Sequence, residues 1–353
     1  MQIFCYSISW ILFLCPPTLT IMKLCNGEGI TVRGFLGVSI NITLYAHALV
    51  RTSVLFFGRK QMRALIETTK QFWGMENYEA IVKRTRKGRI TYIWITFSFV
   101  LSGCLKRHLN LSQTGLYYPR FFSKHVWVLI SDLSNPEISD KSNLSKQIHD
   151  IAEEWGLLGF ISYDILVRTL LIQITVQLEM LNKKLLVLYD SKEPESIIRN
   201  KLRECVEHYC LLMWFADGVN KLFSKAFLVT FASDIFSCTV SLYMIMGDAD
   251  VRLLVEGALH IMAALYMLGF CYCIPAQDMD NEISDLSTNA YLSNWQNNID
   301  YRKDILLVIR AMQIPFGISA GSIMPINMQT LLAACKAMVS YCMFLRTVDG
   351  SAN

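Results

Sequence analysis

Few residues in this sequence are grouped in a way that could support chemistry. Cys205 and His208 are three apart on a predicted helix, but Cys210 would point elsewhere and no fourth ligand lies near in sequence. Because a tetrahedral metal site needs three or four converging ligands, we predict no metal site. The sequence also lacks a P-loop, an HExxH motif and a glycine-rich dinucleotide turn. We therefore predict no catalytic residue, no cofactor and no enzymatic activity.

Charged residues lie within apolar stretches, where they are costly unless they have a partner. Asp164 and Arg168 are four apart in one such stretch, and we predict that they pair on one face of a helix. We favour this structural ion pair over a direct contact with a ligand. The basic run 83–89 has no aromatic platform beside it. We predict that this run faces anionic lipid headgroups and that the protein binds no nucleic acid.

The arrangement of apolar residues predicts an integral membrane protein. The 353-residue chain is 53% hydrophobic, its mean hydropathy is +0.34, and its apolar residues form long blocks. Its 11 cysteines include no CxxC pair, which argues against a disulfide framework. A signal peptide is the alternative for the first block, although a basic n-region is missing there. We predict an all-α fold of seven transmembrane helices, at 3–25, 34–57, 90–105, 151–174, 222–246, 251–273 and 317–348.

Basic residues and glycosylation sequons predict the orientation in the membrane. Lys and Arg concentrate in three segments that we predict to be cytoplasmic, which are 58–89, 179–221 and 274–312. The N-terminus would then be cytoplasmic and the C-terminus extracellular, inverted relative to G-protein-coupled receptors. Asn110 and Asn143 begin N-x-S/T sequons in the loop 106–150, which this topology places outside. Both are therefore predicted glycosylation sites.

In this topology the outer halves of the second, third, fourth and sixth spans converge and could enclose a ligand. Their residues are mostly apolar or aromatic, which suits a small volatile organic compound. The same residues are equally suited to helix packing, and a histidine such as His260 is more often a hydrogen-bond donor between helices. The predicted ligand-binding residues are Asn41, Ile42, Tyr45, Phe99, Ser102, Leu105, Leu158, Ser162, His260, Ala264 and Tyr266.

The last predicted span carries a stripe of residues that could line a pore. At helical spacing one face presents Ala333, Ala337, Ser340, Phe344 and Val348. The stripe is small along its length and becomes bulky and apolar at its C-terminal end. Four such helices around an axis would be closed by a hydrophobic ring, which can gate a pore by dewetting. The alternative is that the small residues simply let helices pack closely.

Residues 271–345 resemble the C-terminal region of the insect odorant receptor family. The matching pieces, in order, are Cys271-Tyr272, Ala290-Tyr291 with Trp295, Arg302-Lys303, Pro315, Ala320-Gly321, residues 325–330, Lys336-Ala337 and Ser340-Tyr341. Elsewhere the resemblance is one of helix layout. Gustatory receptors usually carry a Thr-Tyr pair followed after five residues by Gln-Phe, and that pattern is absent here. The family usually has a longer polar segment before its first span.

The resemblance implies the odour-tuning subunit of a ligand-gated, non-selective cation channel. It implies a heterotetramer with the family's olfactory co-receptor, in the plasma membrane of sensory neuron dendrites. Residues 1–273 would hold the first six spans, and 274–353 would hold a cytoplasmic anchor helix and the pore-lining helix. A gustatory-type cation channel and a G-protein-coupled chemoreceptor are the alternatives.

The resemblance also assigns the gate of the pore. Phe344 and Val348 match the family's hydrophobic gate, and Thr347 lies beside them. Phe344 and Val348 are also the apolar end of the stripe described above. Lys336 departs from the pattern because a positive charge facing the pore would oppose cation flow. We expect Lys336 to be turned toward a neighbouring helix or to be deprotonated.

Overall fold

Long helices make up most of the described protein. A computed structural model describes residues 43, 46–47, 49–74, 139–189, 194–247, 251–297, 302–314 and 316–351. Helical residues 49–57 lead into α1 (Arg59–Thr68). The described α-helices that follow are α2 (Ser139–Leu186), α3 (Glu195–Ile245), α4 (Val251–Tyr266), α5 (Ile274–Tyr291), α6 (Arg302–Met312) and α7 (Met328–Ser351). A π-helical segment (Met267–Cys273) joins α4 to α5, and two short strands, β1 (Ser319–Ala320) and β2 (Met324–Pro325), precede α7.

Helices α2 and α3 are much longer than a membrane is thick. Their 48 and 51 residues extend about 72 and about 77 Å, against about 30 Å for a hydrocarbon core. Each helix must therefore project well beyond its apolar part. The segment 179–221 is predicted as separate from the fourth and fifth spans, but most of it continues these two helices. Residues 139–150, predicted as loop, are the beginning of α2.

Within the described residues, three helices are long and apolar enough to cross a membrane. They run over Glu195–Ile245, His260–Tyr291 and Met328–Val348, and they overlap the predicted fifth, sixth and last spans. Aromatic side chains fill the core between the helices. The Phe227 ring, for example, lies 6.1 Å from the Phe223 ring and 5.5 Å from the Tyr272 ring, measured between centroids. The predicted first and third spans lie outside the described residues.

The last helix begins at Met328, so the prediction of a continuous helix from Gly317 is wrong. Residues 319–325 form an antiparallel hairpin instead. The Asn327 side chain then caps α7, because its Oδ1 accepts the Thr330 N–H at 2.9 Å. The Thr330 hydroxyl donates in turn to the Pro325 carbonyl at 2.6 Å. These two bonds fix the point at which the hairpin ends and the helix starts.

The hairpin is fastened to α3 by hydrogen bonds from its backbone N–H groups. The Gly321 N–H donates to the Ser224 carbonyl at 2.8 Å, and the Ser322 N–H donates to the Ser224 hydroxyl at 3.1 Å. The Ser319 N–H donates to Asn220 Oδ1 at 2.9 Å. Gly321 has a φ of 63° and Ser322 a φ of 58°, so the turn uses the left-handed region. The first turn of α7 is thereby held against α3.

We expect Gly321→Ala to lower the free energy of unfolding by about 1–3 kcal/mol. A left-handed alanine costs about 1 kcal/mol, and its Cβ would lie 2.6 Å from Leu228 Cδ2. Gly74→Ala is the matched control, since its Cβ would meet no heavy atom within 4 Å. Thermal unfolding of the purified receptor in detergent measures both variants. Equal midpoints for the two variants would contradict the expectation.

Phe72 and Trp73 dock the segment after α1 onto α2 and α3. The Gln177 side chain accepts a hydrogen bond from the Trp73 backbone N–H at 3.1 Å and donates one to the Trp73 carbonyl at 3.1 Å. The Trp73 ring stacks on His208 with centroids 3.8 Å apart, and the Lys184 ammonium lies 3.5 Å from the same ring. His208 belongs to the charged part of α3, before the predicted fifth span. Burial, and to a smaller extent repulsion by Lys184, lower its pKa to about 4.

Acid should therefore destabilise the protein through His208. Its pKa is about 4 when folded and about 6.5 when unfolded, so between these values the unfolded chain binds the extra proton. The stabilisation is complete above pH 6.5 and is lost as the pH falls to about 4, for a total of about 3 kcal/mol. His208→Phe keeps a ring against Trp73 without the titration. Its thermal midpoint should fall less between pH 7.5 and pH 5 than that of the unmodified protein, and an equal fall would refute the assignment.

Candidate ligand site and pore helix

The structure describes part of the predicted ligand site. Seven predicted residues belong to the segments or side chains outside the described part, which are Asn41, Ile42, Tyr45, Phe99, Ser102, Leu105 and Leu158. Ser162 is exposed on α2, and His260, Ala264 and Tyr266 are half-buried on α4. The assignment of these residues to a ligand pocket stays a prediction. The neighbours of the three α4 residues, however, are now defined.

His260 connects α4 to a polar face of α3. Its Nε2 lies 3.3 Å from the Ser237 hydroxyl, and Ser237 is buried. Two helix turns earlier on α3, the Thr230 hydroxyl lies 2.8 Å from Nε2 of His47. The polar face that α3 presents contains Thr230, Asp234, Ser237 and Ser241, all buried. The helical spacing of these four residues is visible in the sequence, but the fifth span is not among the helices predicted to enclose the ligand.

Ala264 lies where three helices meet. It packs with Ile261 against a small buried cluster formed by Cys238 of α3 and by Ala334 and Met338 of α7. A residue predicted to touch the ligand is therefore adjacent to the predicted pore helix. Tyr266, two residues further on, stacks on Phe270 with the ring centroids 5.1 Å apart.

A buried ion pair links the second and fourth spans. Arg51 donates to Asp164 at 2.8 Å, and the two side chains are 4% and 0% exposed. The Tyr272 hydroxyl also donates to Asp164. The predicted pairing of Asp164 with Arg168 is therefore wrong. Arg168 instead donates to the carbonyl of Phe270 and lies over the Phe270 ring, 3.8 Å from its centroid.

Helix α7 leaves most of its apolar surface unburied. Phe344 is 65% exposed and Val348 is 50% exposed, whereas Ala334, Met338 and Cys342 are buried along another face. Thr347 is exposed, and its hydroxyl donates to the Met343 carbonyl of the preceding turn at 3.0 Å. Lys336 is also exposed in this single chain. Such a helix needs lipid, a pore or other subunits around it.

The remaining predicted features are placed as follows. Asn110 lies outside the described residues, and Asn143 lies in the second turn of α2 and not in a loop. Cys205 is buried, Cys210 is exposed and His208 stacks on Trp73. Within the described part of the chain, no group of three His, Cys, Asp or Glu side chains could hold a metal ion.

One motif is missed by the prediction. Residues 317–321 read Gly-Ile-Ser-Ala-Gly, which has the G-x-S-x-G spacing of a hydrolase nucleophile elbow. That motif requires a strand, a sharp turn and a helix, but here it leads into the β1–β2 hairpin. The Ser319 hydroxyl lies 3.3 Å from Asn220 Oδ1. The spacing therefore occurs without the structural context of a nucleophile.

Apolar helices longer than a membrane is thick, a charged pair buried between them and one exposed apolar helix define a multi-span helical membrane protein. A family model described as "7tm Odorant receptor" matches residues 31–339. The chain therefore belongs to the odorant receptor family of seven-transmembrane proteins, and the resemblance found in residues 271–345 is confirmed.

Curated relatives match at low identity. Odorant receptor 30a of Drosophila melanogaster is 24% identical over 205 residues, which are 58% of this chain and 53% of that protein. Odorant receptor 19a of the same species is 25% identical over 131 residues, covering 37% and 34% of the two chains. The chain thus spans about half or less of the length of these relatives.

Solved structures confirm the predicted fold class. The insect olfactory receptor OR5 from Machilis hrabei matches with a TM-score of 0.73 and 15% identity, covering 97% of this chain and 88% of that receptor. The same receptor in complex with eugenol matches equally well. The seven-helix, all-α fold is therefore shared with this receptor.

Proposed function

We propose that this protein is the odour-tuning subunit of a ligand-gated, non-selective cation channel. Its partner is the family's olfactory co-receptor in a heterotetramer, and its ligand is a small volatile organic compound. It resides in the plasma membrane of sensory neuron dendrites, with the N-terminus cytoplasmic and the C-terminus extracellular. The eugenol complex of the similar Machilis receptor supports a small organic ligand.

The observation that carries this proposal is the exposure of α7. Phe344 and Val348 leave half or more of their surface uncovered on a helix long and apolar enough to span a membrane. In an assembly around an axis, this face would line the pore and the ring of Phe344 and Val348 would exclude water from it. Lys336 is eight residues before Phe344, about 80° away around the helix, which leaves room for it to face a neighbouring subunit.

Helix α6 supports the assembly. Ile305, Ile309 and Met312 are buried against the rest of the chain, whereas Leu306 and Leu307 are 52% and 67% exposed. A helix that presents leucines on its outer face as well as its inner face is suited to contact with a second subunit. This is consistent with residues 274–312 forming the cytoplasmic anchor.

The test expresses the chain, carrying an epitope after Asn353, with and without the co-receptor. Staining of intact cells, together with inward cation currents evoked by a panel of volatiles only in the co-expressing cells, is the expected result. Currents from the chain alone would favour a homomeric, gustatory-type channel. Staining only after permeabilisation, with surface expression shown by biotinylation, would overturn the orientation and the pore built on it. Cells with the co-receptor alone are the control.

A further inference from the structure

The sixth span contains an unusual backbone segment. Residues Met267–Cys273 form a π-helix between α4 and α5, over seven residues. A π-helix uses i→i+5 hydrogen bonds, is rare, and often occurs at functional sites. It lies directly after Tyr266, the last of the predicted ligand-binding residues. It also precedes α5, which packs against α2.

Two charged residues of α2 hold this segment. Arg168 donates to the Phe270 carbonyl and covers the Phe270 ring. The same ring stacks on Tyr266. Asp164, one turn earlier on α2, accepts the Tyr272 hydroxyl and is itself held by Arg51. Phe270 and Tyr272 of the π-helical segment are thus held by side chains from two successive turns of α2. All three charged side chains are buried.

The opposite side of the segment faces the pore helix. Gly269 is buried, and a Cβ built on it would lie 3.3 Å from Leu331 Cδ2. Leu331 is in the first turn of α7, next to the hairpin that fastens this helix to α3. The π-helical segment therefore contacts Tyr266, a predicted ligand-binding residue, together with the charged residues of α2 and the start of α7.

We infer that the π-helical segment Met267–Cys273 couples ligand binding to the pore helix, and that Arg168, Asp164 and Arg51 are positioning residues that hold its closed-state register. The inference rests on the proposed function. A ligand that moves Tyr266 displaces Phe270 from Arg168, and a change of the π-turn toward an α-turn then rotates Gly269 against Leu331. The ligand shifts the equilibrium because it binds more tightly to the state with the changed register.

A pair of matched tyrosine variants tests the coupling. Tyr272→Phe removes the hydroxyl that binds Asp164 and keeps the ring that packs on Phe227. Tyr163→Phe removes a hydroxyl that is equally buried but has no hydrogen-bond partner among the described residues. Because the hydroxyl helps to hold the closed state, we expect Tyr272→Phe to raise the ratio of unliganded to maximal current about tenfold. Tyr163→Phe should change it less than twofold.

A second pair tests the contact with the pore helix. Gly269→Ala should press on Leu331 and change the same current ratio, and Leu331→Ala in the same chain should restore it. A folding defect lowers the number of surface receptors, measured by biotinylation, and scales unliganded and maximal currents equally. The ratio of the two currents is therefore insensitive to such a defect. A ratio unchanged in both Tyr272→Phe and Gly269→Ala, in a receptor that responds to volatiles, would overturn the inference and leave the proposed function intact.

Hydrogen exchange of the purified receptor gives a readout that needs no current. Peptides covering residues 267–273 should exchange faster in Tyr272→Phe than in Tyr163→Phe. If the unmodified receptor conducts no volatile-evoked current with the co-receptor, the proposed function fails. Unchanged exchange in Tyr272→Phe would separately overturn the role of Asp164 in holding the segment.

Discussion

Replacing Phe344 and Val348 together with alanine is expected to produce a channel that conducts without ligand. Both side chains are largely exposed in the single chain and lie on one face of α7. Pairs of large apolar groups keep a narrow pore dry, and shortening both to methyl groups widens and wets it. We expect unliganded current to rise about tenfold, which corresponds to about 1.4 kcal/mol in the gating equilibrium. Whole-cell recording with the co-receptor measures it.

Val339→Ala is the matched control for the gate. Val339 is 54% exposed against 50% for Val348, and nine residues at about 100° each place the two valines on opposite sides of α7. Val339→Ala should leave unliganded current unchanged. A rise in current from Val339→Ala equal to that from Val348→Ala would show that general loosening of α7, and not loss of a ring, opens the pore.

Removing the Asp164 carboxylate should be the most destabilising single change in the described chain. Asp164→Leu leaves Arg51, which is almost fully buried, without the carboxylate that it contacts at 2.8 Å. Breaking a buried ion pair from one side typically costs about 3–5 kcal/mol. Since domains are stable by only about 5–15 kcal/mol, we expect most of the surface receptor to be lost. Surface biotinylation and thermal unfolding measure this.

Two further variants separate the charge from the shape. Arg51→Met together with Asp164→Leu removes both charges, so it should recover much of the surface receptor that Asp164→Leu loses. Asp217→Ala removes the partner of Lys221, a 2.6 Å pair whose side chains are 55% and 76% exposed, and should cost less than about 1 kcal/mol. Equal losses of stability from Asp217→Ala and Asp164→Leu would show that the burial of the Arg51–Asp164 pair does not explain its contribution to stability.

The sequence predicts where apolar helices lie because their length and composition are local properties. The predicted fifth span, 222–246, ends one residue beyond α3, and the sixth span, 251–273, ends with the π-helical segment. The π-helical segment is not predicted, and the Arg168 and Asp164 side chains that contact it come from another helix. The start of α7 at Met328 had a local signal in Asn327, an N-cap residue.

Partners of buried charges are less predictable. Asp164 and Arg168 satisfy the i, i+4 rule, yet Asp164 binds Arg51, which is 113 positions away in the sequence. Spacing along one helix cannot rank a neighbour on the same helix against one brought by the fold. The same reason explains why Ser237 and Thr230 of the fifth span were not connected with His260 and His47, although their polar spacing is regular.

The attachment of the hairpin to α3 fixes the N-terminal end of α7, the proposed pore helix. Its hydrogen bonds to Ser224 and Asn220 lie before Met328, whereas Phe344 and Val348 lie near the other end and are 65% and 50% exposed. Beyond its first turn α7 also packs through Ala334, Met338 and Cys342, so a tilt about the hairpin requires this packing to change. From Met328 to Val348 the arm is about 30 Å long, so a tilt of about 5° moves Val348 by about 3 Å and hardly moves Leu331. In the proposed channel, a small tilt at the base would therefore displace the ring of Phe344 and Val348 much further than it displaces Leu331.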